Sequence, residues 1–329
     1  MPELFAHAAS QEAEGRRRQM LRTAFGPTIA AALADPTVIE VMANPDGKLW
    51  IEAVPAGRRD SGQRIGAAEA ERIIRLVAAH VRREVTDRAP IVSAELPETG
   101  ERFEGVMPPV ATAPCFAVRK PADVVYRLSD YIVAGIMSSR QAAVLALAVR
   151  DRRNILVVGG TSSGKTTLVN ALLGEIADLG ERVVILEDTR ELKCAAADCL
   201  ALRTKPGAVS LGDLVRSTLR LRPDRIIIGE VRGPEALDML KAWNTGHPGG
   251  ITTVHANSAQ AGLYRLEQLV QEAVVTVPRT LIVEAIDIVA FLSGRGARRR
   301  LETLLELKGL GPDGDYVLRP LGPPTLDIV

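Results

Sequence analysis

"VVGGTSSGKTTLVNALL", residues 157–173, starts aliphatic, passes through a loop of glycine and serine, meets a lysine and two threonines, and turns apolar again. Small residues placed directly before a lysine have a physical use. Glycines let backbone N–H groups converge on a phosphate with no Cβ in the way. A helix that starts there aims its N-terminus at the same anion. Gly159, Gly160, Thr161, Ser162, Ser163, Gly164, Lys165 and Thr166 fit G-x-x-x-x-G-K-[ST], with Thr167 next in line. In that pattern Lys165 contacts the β- and γ-phosphates, and the Thr166 hydroxyl reaches Mg2+. A flexible turn can match so short a pattern by chance. Here "NILVVG" precedes it as a strand and "TTLVNALL" follows as a helix. That context favours a P-loop.

Outward from this loop, apolar runs alternate with helical patterns. "NILVVG", "RVVILED", "DRIIIGE" and "GITTVHA" are short, aliphatic and uninterrupted, as strands buried on both faces are. Helical stretches between them predict an α/β domain, a parallel sheet with helices on both faces. Ser138 and Ser139 are placed to cap a helix through "RQAAVLALAVR". This domain is expected over 137–329, after a connection at 122–136.

Residues 1–121 read as a smaller α+β domain. A helical pattern from about residue 10 to 34 is interrupted at Gly26–Pro27. "VIEVMANPDGKLWIEA" predicts a hairpin around Asn44-Pro45-Asp46-Gly47. Ile73, Ile74, Val77 and Val81 form a helical stripe. "IVSAEL", "ERFEGVMPPV" and "CFAVRKP" have the look of further short strands.

Composition excludes some functions. Lys+Arg number 41 against 40 Asp+Glu, a net charge of +1, and aromatics are 3%. Neither a global field for nucleic acid nor a base-stacking platform follows. Cys115, Cys194 and Cys199 form no Cys-x-x-Cys pair, which fits a reducing compartment and provides no zinc site. No signal-peptide core and no membrane-length apolar run is present. The expectation is a soluble, cytoplasmic protein, with room for peripheral membrane attachment through a partner. "GRGARRRLE" reads as a solvated face or loop.

Phosphoryl transfer to water needs more than a P-loop. Glu230 follows Ile226, Ile227, Ile228 and Gly229, and a carboxylate there can orient or deprotonate the attacking water. Such a strand end is also a common place for a surface glutamate. Glu187, Asp188 and Glu191 in "VILEDTREL" suit Mg2+-bound waters; a capping Asp188 between exposed glutamates is the bland alternative. His247 and His255 lack metal-ligand spacing to a partner. His255 ends an aliphatic run, where it could sense a γ-phosphate.

The motifs in series resemble one family. "GGTSSGKTT", "ILEDTREL", "LRLRPDRIIIGEVRG" and "NTGHPGGITTVHANS" look like the Walker A, Asp, Walker B and His boxes of the secretion-superfamily ATPases. "ERFEGVMPPV" and "FAVRKP" resemble that family's nucleotide-facing N-terminal domain. The short chain and the missing four-cysteine module are most similar to the conjugal-transfer and type IV secretion branch. The resemblance implies a P-loop NTPase with a RecA-like core, an ATPase using ATP and Mg2+, and Glu230 as the catalytic glutamate. It implies Lys165 and Thr166 on phosphate and metal, and Glu187 and Asp188 in the Asp box with Glu191 beside them. His255 would be the principal His-box residue and His247 secondary. Arg102 and Arg119 match arginines that reach the phosphates from the N-terminal domain. Arg222 matches one offered near the subunit boundary, and Arg232 follows Glu230; Arg220 is the neighbouring alternative to Arg222, and Lys120 to Arg119. The resemblance also implies a homo-oligomer, a hexameric ring that works with inner-membrane components of a secretion or conjugation apparatus. Sequence-specific nucleic-acid binding is not implied.

Two other functions compete. A nucleic-acid-dependent ATPase with a RecA-like core predicts stimulation by DNA. A non-enzymatic nucleotide-regulated scaffold predicts no turnover. A related pilus-assembly or type II secretion motor is the nearest alternative within the family.

Overall fold

Two sheets organise the chain. The computed structural model describes residues 2–54, 56–96, 100–121 and 125–321. Residues 122–124 of the expected connection and 322–329 of the expected C-terminal domain lie outside them. The chain divides into two units, Met1–Asp123 and Val124–Val329. Among the described residues no helix is long and apolar enough to cross a membrane.

The first unit runs α1 (Pro2–Ala34), β1 (Val38–Ala43), β2 (Lys48–Ala53), β3 (Gly57–Arg64), α2 (Ala67–His80), β4 (Ile91–Glu95), β5 (Arg102–Val106) and β6 (Cys115–Arg119). Its sheet has the order β3-β2-β1-β6-β5-β4, antiparallel throughout. Ile73, Ile74 and Val77 of α2 are fully buried in one cluster with Val41, Phe103, Phe116 and Val118. These are three of the four residues in the predicted stripe, set against one face of the sheet; Val81, the fourth, falls just past the helix end and is only partly buried. The opposite face carries a transverse row of charges. In register across the strands stand Glu95, Arg102, Arg119, Glu40, Glu52 and Arg58.

The hairpin β1–β2 and the strands β4 to β6 form where the alternation places them. β3, "GRRDSGQR", is not legible: it is almost wholly exposed and carries no apolar period. It is an edge strand blunted by charge, and Arg58 lies over the Trp50 ring, 5.7 Å from its centroid.

The second unit runs α3 (Leu128–Val133), α4 (Ser139–Arg150), β7 (Ile155–Gly159), α5 (Lys165–Ile176), β8 (Val183–Glu187), β9 (Cys199–Arg203), α6 (Leu211–Thr218), β10 (Arg225–Ile228), α7 (Glu235–Asn244), β11 (Ile251–Val254), α8 (Ala259–Gln271), α9 (Arg279–Ala285), β12 (Ile288–Ser293), β13 (Arg300–Leu310) and β14 (Tyr316–Pro320). The stretch read as a connection thus carries α3, whose Leu128 and Tyr131 are buried in this unit's core. Ser138 caps α4, accepting the Gln141 N–H at 3.2 Å, and the Gln141 side chain returns to the Ser138 N–H at 2.8 Å, a capping box.

The sheet order is β14-β13-β12-β7-β11-β10-β8-β9. From β12 to β9 every pair is parallel; β13 and β14 extend it antiparallel. Leu156, Val158, Val184, Leu186, Ile226 and Ile228 pack with α6 to α9 on one side. Ile155, Val157, Val183, Ile185 and Ile227 pack with α3 to α5 on the other. Alternate residues of one strand feed two cores, which is why these runs are apolar without interruption.

One ion pair sits inside this core. Arg225, fully buried at the start of β10, bonds Glu181, which also takes Arg152 Nη2 at 2.7 Å. Arg225 Nη1 reaches the Gly249 carbonyl only at 3.5 Å, and Nη2 has no hydrogen-bond partner. Burial pushes the Glu181 carboxyl up, but the bonds and charges of Arg225 and Arg152 outweigh it and hold it below its ordinary value.

Candidate functional site

Parallel strands bring their C-terminal ends to one edge, and in α/β sheets ligands bind outside that edge. Here β7 ends in the P-loop, β8 in the 187–198 loop, β10 in Glu230 and β11 in His255. Because β11 lies between β7 and β10, His255 falls between the other two.

Gly164 starts α5 with φ +92, a left-handed conformation that glycine adopts at little cost. Lys165 opens the helix and is buried. Its Nζ donates to the Gly159 and Gly160 carbonyls at 2.9 and 3.2 Å. It also lies 3.2 Å from His255 Nδ1 and 3.3 Å from Nε2. His255 Nε2 is 2.7 Å from Glu230 Oε1. Glu230 Oε2 takes the Arg232 Nε–H at 2.6 Å. The Glu230–His255 separation is that of an ion pair, yet Oε1 is buried and accepts no aligned hydrogen bond. The carboxylate is thus held at both oxygens, Oε1 close to His255 and Oε2 by Arg232, at a strand end where a proton acceptor is of use.

The 187–198 loop splits its carboxylates between tasks. Glu187 is buried, and its Oε1 accepts the N–H groups of Glu191 and Leu192, both at 2.9 Å. A Cβ on Gly229 would stand 3.1 Å from Glu187 Cγ, so a small residue before Glu230 lets the two strand ends approach. Asp188 is exposed and accepts the Thr204 hydroxyl at 3.0 Å; no helix begins there for it to cap. Glu191 is the carboxylate that meets the P-loop, taking the Thr166 hydroxyl at 3.2 Å. Asn170 of α5, which its sequence context does not mark out, holds this loop. It donates to the Glu191 carbonyl at 3.1 Å and accepts the Lys193 N–H at 2.8 Å.

A hydroxyl and a carboxylate side by side are hard oxygen donors of the kind Mg2+ takes. Among the described residues no group of three or more His, Cys, Asp or Glu could hold a metal ion. A Mg2+ at Thr166 would thus share its shell with phosphate and water, as that ion does.

Other predicted residues stand elsewhere. Arg222 and His247 precede β10 and β11, so they lie at the opposite end of the parallel strands from Glu230 and His255. Arg222 is exposed with φ 52. His247 Nδ1 is 3.0 Å from the Pro223 carbonyl, which makes it the donor and ties the two loops together. Arg102 and Arg119 face each other across β5 and β6 in the first unit. In the arginine run Arg295, Arg298 and Arg300 are exposed, as a solvated face or loop requires, and Arg299 alone departs by lying against Gly164.

A family model described as "Type II/IV secretion system protein" matches residues 30–294. The chain belongs to this family. It is 45% identical to the conjugal transfer protein TrbB of Rhizobium radiobacter, over 88% of this chain and 90% of that protein. It is 34% identical to the type IV secretion system protein PtlH of Bordetella pertussis, over 84% and 93%. Its fold is similar to that of the Legionella pneumophila ATPase DotB, with a TM-score of 0.54 and 18% identity, over 87% of this chain and 76% of that one. The family and the topology together make the second unit a P-loop NTPase core of the RecA-like kind, preceded by a smaller α+β unit.

Proposed function

We propose that this protein hydrolyses ATP with Mg2+ and that the hydrolysis drives export of DNA or protein through a type IV secretion or conjugation apparatus. The observation that carries the reading is the convergence of Lys165, His255 and Glu230 at one strand edge, with successive contacts of 3.2 and 2.7 Å. The 45% identity to a conjugal transfer protein over most of both chains supports the transport role.

In this reading the amides of 159–166 and the α5 N-terminus bind the phosphates. Lys165 exchanges its loop carbonyls for the β- and γ-phosphates. Thr166 would hold Mg2+, with Glu191 and Asp188 as the carboxylates available to it and Glu187 shaping the loop; a bound ion would supply charge stabilisation to the transferred phosphoryl group. Glu230 Oε1 takes the proton of the attacking water, and Arg232 fixes the carboxylate through Oε2. His255 links the lysine to the glutamate and reports on γ-phosphate. Arg102 and Arg119 supply positive charge to the nucleotide. Arg222, at the far end of its own strands, acts on a neighbouring copy in a ring of six. The ring works at the cytoplasmic side of the inner membrane, held there by other components of the apparatus.

The test is ATP turnover by the purified full chain, with Mg2+ or with EDTA, and with DNA or lipid vesicles added. Mg2+-dependent turnover that DNA does not raise is expected. Turnover that requires DNA would move the function to a nucleic-acid-dependent ATPase. Transfer frequency in a deletion strain, complemented by the wild type or by Lys165→Ala, tests the transport role.

A further inference from the structure

Arg299 occupies an electrostatically awkward place. A Cβ on Gly164 would lie 2.8 Å from its Nε, 2.9 Å from its Cζ and 3.0 Å from its Cδ. The guanidinium stem therefore rests directly on the P-loop glycine. The position is built on firm supports. Two residues on, Leu301 donates its N–H to the Ile136 carbonyl at 2.7 Å and accepts the buried Gln141 amide at 3.1 Å. Arg299's own N–H is held by the Gly296 carbonyl at 3.2 Å.

Its charge is poorly matched. The Arg299 Nε is buried with no hydrogen-bond partner. Nη2 finds only the Ser162 carbonyl, at 3.5 Å, a long contact. The phenol of Tyr131, also buried without a hydrogen-bond partner, feels this cation. Burial raises the Tyr131 hydroxyl above its ordinary range, and Arg299 pulls it part of the way back. Nearby is the α5 N-terminus, the positive pole of that helix. A cation placed against the positive end of a helix, with its Nε buried and unpartnered, gains from an anion that both can share.

We propose that Arg299 is a nucleotide-contacting residue, a guanidinium that donates from Nε and Nη2 to the polyphosphate seated on the P-loop. This rests on the ATP-binding reading of that loop and adds a ligand from a segment 134 residues along the chain from Lys165. The contact is made at Ser162 and Gly164, on the loop itself, while Glu230 and His255 gather around Lys165. Arg299 therefore serves ADP and ATP alike. Its loss raises KM more than it lowers kcat, because ground-state and transition-state binding weaken together.

The experiment titrates the full-length protein with a fluorescent ADP analogue and measures apo melting in parallel. Arg299→Gln should weaken ADP binding by roughly tenfold or more, as loss of a charge-assisted contact does, with an apo melting midpoint near that of wild type. Steady-state kinetics should place most of the loss in KM, with kcat falling less than about threefold. Arg299→Lys, which keeps the charge but not the fork, should fall between. Arg298→Gln, at the exposed neighbour, should bind within about twofold of wild type. ADP affinity within twofold of wild type in Arg299→Gln, while Lys165→Ala loses binding, would overturn the inference and leave the ATP reading standing. So would a lower apo melting midpoint with unchanged affinity, the mark of a packing role. Failure of the wild type itself to bind ADP would take down the ATP reading, and this inference with it.

Discussion

Glu230 and His255 meet across the ends of neighbouring parallel strands, with Oε1 2.7 Å from Nε2. His255 in turn stands 3.2 Å from the Lys165 ammonium. The His255 imidazole thus stands between the lysine and the carboxylate, with Nε2 near both. When phosphate draws Lys165 from the Gly159 and Gly160 carbonyls, His255 loses or reorients one of its two contacts. In the proposed reaction the nucleotide would thereby act on the position of the carboxylate that accepts the water's proton.

Glu230→Gln tests that role. The carboxylate and the γ-phosphate are both negative, so ground-state ATP binding should be unchanged or tighter. Single-turnover hydrolysis should fall by about 10²–10⁴-fold, the range of a lost general base. The Arg232 pair is half exposed at its arginine end, so apo stability should drop by no more than ~1 kcal/mol. A single-turnover rate within about threefold of wild type would hand the role to another carboxylate of the edge, Glu191 first.

Lys165→Ala removes charge-assisted contacts worth about 1.5–3 kcal/mol each. Nucleotide affinity should fall at least tenfold and turnover should vanish, while circular dichroism of the apo protein stays unchanged. Near-normal turnover in the purified variant would place the site elsewhere.

Much of this edge is legible in the sequence because its determinants are local. Four aliphatic runs end where four motifs begin, and a strand's end fixes where the following residue points. What escapes depends on contacts between distant segments. The string "LEDTREL" cannot say that Glu187 turns inward to hold backbone N–H groups while Glu191 reaches Thr166. Asn170 reads as an ordinary helix position, yet it ties α5 to the loop after β8. His247 has the residue type of a site and a hydrogen bond to Pro223 instead. β3 escapes for a different reason: an exposed edge strand has no buried face to impose a period.

The buried pair predicts an asymmetry. Glu181→Leu leaves Arg225 fully buried with only a carbonyl at 3.5 Å, and should cost about 3–5 kcal/mol. Arg225→Met leaves Glu181 with Arg152, at 2.7 Å and partly exposed, and should cost less. The double variant should recover much of the Glu181→Leu loss, because the orphaned charge is gone. Urea unfolding of the three variants measures this, and additive losses would refute it.

Acid should act through Glu306. Its bond from Lys308 leads, and Arg319 adds to it against a desolvation that raises it, so the carboxyl is held down to about 2 from 4.5. A depressed carboxylate contributes stability above its unfolded value, and loses it as pH falls through the folded one. Melting temperature should therefore decline between about pH 4.5 and about pH 2. In Glu306→Gln the neutral-pH midpoint should be lower and the acid decline shallower. Parallel curves for wild type and variant would show that this cluster does not set the acid limb.

Arg102 and Arg119 predict a split between stability and activity. Within the row Glu95, Arg102, Arg119, Glu40, the two cations stand directly opposite each other. Like charges opposite one another destabilise a sheet, and opposite charges stabilise it by about 0.2–1 kcal/mol. Arg119→Ala removes one repulsion and one attraction, from Glu40, whose carboxyl burial raises and Arg119 lowers. Net stability should stay within about 0.5 kcal/mol of wild type. Two arginines set opposite each other concentrate positive charge at this point of the sheet, which suits use on an anion. Arg119→Ala and Arg102→Ala should each lower kcat/KM for ATP by at least tenfold, and Arg119→Lys should restore only part of it, since an ammonium lacks the planar fork. The reading fails if both alanine variants, compared at the same oligomeric state, hydrolyse ATP at the wild-type rate. A loss of stability that accounts for the whole loss of activity would also count against it, because the arginines would then be holding the sheet and not the nucleotide.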